Sequence, residues 1–208
     1  EAGVIRAIGT AGDPIVFRGA TQTAGFWLGV LVHSDDAQNR LEHVEILHTG
    51  SGAIGGQTGA VVLDGFKAGG LALVSVTIAT GAGHGLVVED GATLFEFSTG
   101  TLGDLADTPV MIVPDEVAKL DEASSFLSTN ADNRVEIDRF GSVTSNAEWP
   151  DPGVPYFVTD ELDVAAELTI RPGTRFEFGA SVRMEIDPDG ALIADASAGE
   201  PIVFTGDE

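Results

Sequence analysis

Gly59-Ala60-Val61-Val62-Leu63-Asp64-Gly65 returns, little changed, as Gly85-Leu86-Val87-Val88-Glu89-Asp90-Gly91. A β-branched run closed by Asp-Gly has two readings. In a β-sandwich the Asp-Gly step turns one strand back on its neighbour. In a solenoid the same run recurs once per coil, with a period of about 20–50 residues. The offset of 26 residues between the two copies suits full-coil stacking better than a hairpin.

The same punctuation continues along the chain. Short apolar runs begin near Val61, Val87, Val110 and Val135, at intervals of roughly 25 residues, the chain that three strands and three corners consume. Leu41–Gly50 (LEHVEILHTG) resembles Leu73–Gly81 (LVSVTIATG) with one residue deleted, and Pro172–Gly179 echoes Gly91–Gly100. Phe95-Glu96-Phe97, Val135-Glu136-Ile137 and Phe176-Glu177-Phe178 alternate as half-buried strands do. Ile170, Phe176, Phe178, Ile186, Leu192, Ile202 and Phe204 are the expected inward stack of the C-terminal part. The expectation is an all-β, right-handed parallel β-helix of roughly eight coils, a rod on the order of 40 Å at about 4.8 Å per rung.

Residues 1–208 read as one β-helix domain. Its regularity lapses over 114–133, expected as an excursion with a helical turn at Glu116–Leu120, and again at a candidate boundary over 143–155. Gly3–Gly19 aligns without gaps to Gly190–Gly206, 187 residues later, so both ends are expected to carry the same rung and to invite pairing, end to end with another copy or with neighbouring repeats of a longer chain.

The C-terminal residues also carry a resemblance. Val154–Val158 (VPYFV), Leu168–Thr174 (LTIRPGT), Ala191–Ala194 and Pro201–Gly206 (PIVFTG) resemble a repeat of large secreted or surface bacterial and archaeal proteins. That repeat is similar to the right-handed β-helices of the pectate-lyase-like superfamily. The resemblance implies the same fold and an extracellular or cell-surface location. It says little of activity, because its residues are turn and core positions.

Charge narrows the functions. With 33 acidic and 10 basic residues the chain carries a formal charge of −23, which argues against nucleic acid and anionic membrane surfaces as partners. Such a surface suits either a halophilic source or an acidic secreted protein. The absence of cysteine leaves stability independent of disulfides. No apolar stretch reaches the length of a spanning helix, so membrane insertion is not expected.

Candidate sites are sparse, and no catalytic residue is assigned. The corners Asp187–Gly190 and Asp104–Asp107 read first as solvated acidic turns; calcium is the metal that would suit them, with Asp187, Asp189, Asp104 and Asp107 as its oxygen ligands. His43, His48 and His84 with Glu45 are a weaker transition-metal candidate. Phe26, Trp27, Trp149 and Tyr156 are the candidate polysaccharide-binding aromatics. Glu42, Glu45 and Asp64, or Asp138 and Arg139, are the carboxylate sets from which a hydrolase would have to be built. The leading functional expectation is a non-catalytic structural or adhesive module. The alternative is a carbohydrate-binding or polysaccharide-degrading lyase or hydrolase.

Overall fold

A computed structural model describes residues 3–127, 129–138, 141–197 and 199–207. The named strands pair only in parallel, around a three-sided stack, and so form a β-solenoid. One face holds an unbroken sheet of eight strands, from Val30–Val32 through Gly59–Leu63, His84–Val88, Val110–Ile112, Val135–Ile137, Tyr156–Val158 and Arg175–Phe178 to Val203–Gly206. The second face carries Arg6–Ile8, Arg40–Glu42, Gly70–Val74 and Thr93–Ser98, then resumes with Ser142–Val143, Leu162–Val164 and Met184–Ile186. The third runs from Ile15–Arg18 to Thr101–Leu105 and from Ala147–Trp149 to Ala191–Ala194. The winding amounts to about six regular turns, slightly fewer than expected.

The missing regularity falls at the expected excursion. Here a 3-10 helix, Pro114–Lys119, replaces a strand on the second face, and among the described residues the third face keeps a single bridge, Thr101 to Ser125. The preceding rung would lose its ladder partners there, and buried backbone groups need them. Side chains supply them. Glu116 accepts from the Leu94 amide at 2.7 Å, Asp121 from Thr99 at 2.9 Å, Ser124 from Gly100 at 2.8 Å and Asn130 from Leu105 at 3.1 Å. Beyond this turn, strands at Ser142–Val143 and Ala147–Trp149 resume the winding.

Corners stack as regularly as strands. His43, Ser75 and Thr99 share a left-handed φ of +49° to +52°, and His48, Thr80 and Asp104 share one of +54° to +66°. Such a φ costs roughly 1 kcal/mol or more in a non-glycine residue. Neighbouring corners brace each other: Ser75 and Thr99 hydroxyls bond at 2.8 Å, and Thr80 donates to Asp104 at 2.9 Å. The corner at Ser75 divides the run Leu71–Ile78 between two faces. The Asp64-Gly65 step is likewise a rung contact and not a hairpin turn. A Cβ on Gly65 would lie 1.8 Å from the Asp90 carbonyl oxygen.

Register corrects three of the sequence alignments. Val61 pairs with Leu86 and Val62 with Val87, one residue off the best identity match. The observed register keeps Val61 and Leu63 over Leu86 and Val88 in the core, whereas the identity match would set inward side chains against outward ones. Phe95–Phe97 and Phe176–Phe178 lie on different faces. So do the two ends: Arg6–Ile8 and Ile15–Arg18 occupy the second and third faces, but their counterparts Ala191–Ala194 and Val203–Gly206 occupy the third and first. The repeated motif is a strand–corner–strand unit that fits any corner, so the chain does not begin and end on the same rung position.

Candidate functional site

The outward column of the long face decides where chemistry can occur. Its registered members run Leu31, Val62, Val87, Met111, Glu136, Phe157, Glu177 and Thr205. The first half is apolar, and Val62, Val87 and Met111 are buried although they point away from the solenoid core. Part of their cover is the glycine-rich segment 50–59. It folds into a tight turn in which Ile54 and Gln57 exchange backbone hydrogen bonds, and Ile54 packs on the apolar strip.

Glu136 comes next in that column, between Met111 and Phe157. Burial, reinforced by the nearby charges of Asp107, Asp138 and Asp132, pushes its carboxyl up to about 7. Among the described residues it makes no hydrogen bond. Among the described residues the cation whose charge acts on it, Arg134, is committed elsewhere. Its guanidinium binds Asp132 at 2.7 Å, Glu177 at 3.2 Å and Asp207 at 3.1 Å, and lies 3.7 Å above the Phe157 ring centroid.

Two further ligand-type side chains face Glu136. His84 opens its strand, and its side chain is only 12% exposed. Its Nδ1 bonds the Thr108 hydroxyl at 2.8 Å, one rung away, and its Nε2 lies 3.5 Å from Asp107 Oδ2. Burial holds the imidazole below its ordinary pKa, opposed by the Asp107 charge. Ligand atoms of His84, Asp107 and Glu136 all lie within 4.8 Å of one another. A second carboxylate trio, Glu161, Asp163 and Glu185, differs in already holding a cation: Arg183 pairs with both Glu161 and Glu185.

The sequence-predicted sites fare unevenly. Asp107 belongs to the cluster just described, but Asp104 sits on the adjoining corner and binds Thr80. Asp187 and Asp189 are part of no cluster of three donors among the described residues. His43 and His48 occupy corner positions, and His84 joins neither them nor Glu45 in such a cluster. Glu42 pairs with Arg40, and Asp64 pairs with His33 at 2.8 Å and caps the turn at Gly65–Lys67. Arg139 lies outside the described residues.

Trp149 and Tyr156 are fully buried in the core, where they stack with Phe176, so they present no face to a sugar. The Tyr156 hydroxyl donates to the Pro150 carbonyl at 2.8 Å. Trp27 is half-buried and donates from Nε1 to the Leu47 carbonyl at 2.8 Å; Phe26 remains exposed. Phe66, which carried no signal in the sequence, is the most exposed large apolar residue described. No family model, curated protein or solved structure matches this chain.

Proposed function

We propose that the protein is a structural or adhesive module of an extracellular or cell-surface protein, a stiff acidic rod whose end rungs join further rungs. One observation carries this reading: both end rungs bear apolar side chains on their outer faces. Ile8 and Val16 are exposed where the next rung places Glu42 and Glu45. Ile193 and Val203 are exposed where the preceding rung places Thr169 and Arg175. With the inward Ile186 and Phe204 of the last rung, they make apolar collars on a chain of net charge −23. Exposed apolar surface set in a polar surround marks a contact site.

The reading takes up the resemblance of the C-terminal repeat to pectate-lyase-like surface proteins, which rests on residues 154–206. It does not depend on whether the joining rung belongs to the same chain or to a second copy. The test is sedimentation of the isolated chain over a wide concentration range, with Ile8→Asp and Val203→Asp as controls. Association that rises with concentration and is lost in both variants is the expected result. A constant mass of 21.5 kDa into the millimolar range refutes end-to-end joining.

A further inference from the structure

We propose that His84, Asp107 and Glu136 bind one divalent first-row transition cation, with Zn2+ as the probe. The long face carries a half-buried carboxylate with no hydrogen bond among the described residues, beside a second carboxylate and a largely buried imidazole. Burying a carboxylate without a partner is costly, and folded proteins normally pair it or place it on a metal. Arg134, the cation that acts on Glu136 among the described residues, is already engaged by three other carboxylates.

The donor set then selects the ion. His84 uses Nδ1 on Thr108, which leaves Nε2 as the free nitrogen facing Asp107. A hydrogen bond on one ring nitrogen that fixes the orientation of the other is the usual support of a metal-bound histidine. The 3.5 Å between Nε2 and Asp107 Oδ2 is close to the edge of a tetrahedron with ligand bonds of about 2.0–2.1 Å. A carboxylate oxygen of Glu136 lies within 4.8 Å of a ligand atom of each residue and closes the third position with a side-chain adjustment. One imidazole and two carboxylates, with water completing the shell, suit Zn2+ and its neighbours. Calcium takes six to eight oxygens and has no use for the imidazole. The site needs no contact at the end rungs and stands apart from the module reading.

The experiment is calorimetric titration of chelator-treated protein with Zn2+ and, separately, Ca2+, alongside thermal unfolding with and without each ion. The wild type should bind one Zn2+ per chain and unfold at a higher temperature in its presence. His84→Ala and Glu136→Gln should each weaken that binding by at least about tenfold, and Thr108→Val, which acts through His84, by about tenfold. Glu136→Gln is isosteric and removes a poorly solvated charge, so it reports even if His84→Ala fails to fold. No saturable Zn2+ binding, Zn2+ binding unchanged in Glu136→Gln, or Ca2+ binding as tight as Zn2+ overturns the assignment.

Discussion

Glu136→Gln should make the metal-free protein more stable at alkaline pH and leave it unchanged in acid. Glu136 is ionised in an unfolded chain above a pKa of about 4.5, but its folded carboxyl titrates near 7. Between those values the folded state holds a proton that the unfolded state has released. Stability therefore falls as pH rises through this window, and the full penalty is present above pH 7. Complete linkage over such a shift is about 3 kcal/mol; partial solvent access to the carboxylate reduces this to roughly 1–2 kcal/mol. Glutamine keeps the shape and carries no charge, so it escapes the penalty. Its melting temperature should exceed that of the wild type by roughly 3–6 °C at pH 8.5 and by nothing measurable at pH 4. Both proteins must be compared in chelator at constant ionic strength, because the other carboxylates also titrate and cancel only in the difference. An advantage for glutamine that is the same at both pH values would refute the electrostatic account, as would a less stable Gln variant at pH 8.5.

Two further predictions concern packing. Trp149 is fully buried between Tyr156 and Phe176, and its Nε1 has no hydrogen-bond partner among the described residues. Trp149→Ala should cost about 3–5 kcal/mol in denaturant unfolding. Trp149→Phe should cost under about 1.5 kcal/mol, since it removes the unpaired N–H together with some buried area; a loss as large as that of the alanine variant would refute this, because the smaller ring would then have recovered none of the packing. Asn39, also fully buried, accepts from the Ile5 amide at 2.9 Å and donates to the Ser34 and Gly70 carbonyls at 2.8 and 3.0 Å. Asn39→Ala should cost about 2–4 kcal/mol and raise hydrogen exchange at Ile5 first, because the cut bonds join neighbouring rungs.

Much of this solenoid is legible in the chain because its strands are short, alternating and punctuated by glycine, and because the inward residues on one rung resemble those on the next. Val135, Ile137, Ile170 and Phe176 all read as core and are core. What the chain hides is register. Identity between two copies rewards matching glycines and aspartates, but the fold is set by which valines face inward, and at Val61 the two criteria differ by one residue. Ile186 and Phe204 read as core by the same pattern and are exposed, because no described rung covers them. Asn39 and Asn130 give no signal at all. Each is a polar residue among turn residues, and only the geometry of adjacent rungs shows them clipping backbone groups from inside.

The His84–Asp107–Glu136 cluster was hidden for a related reason. Metal motifs legible in a sequence place ligands a turn of helix or a tight loop apart, so spacing carries the geometry. Here the three donors come from successive turns of the winding, and their separations reflect corner lengths that nothing near them encodes. His84 reaches Thr108 only because Leu86 registers on Val110, and Glu136 reaches the site only because Ile112 registers on Ile137. That register is held partly from outside. Val62, Val87 and Met111 bury an apolar stripe under Ile54, and a slip of one residue would expose the whole stripe while turning core valines outward. The same stripe gives Glu136 its poorly solvated position, because Met111 is its neighbour one rung back. The apolar exterior of the long face thus fixes the alignment that brings the donors together and sets the electrostatic cost that a bound cation would relieve.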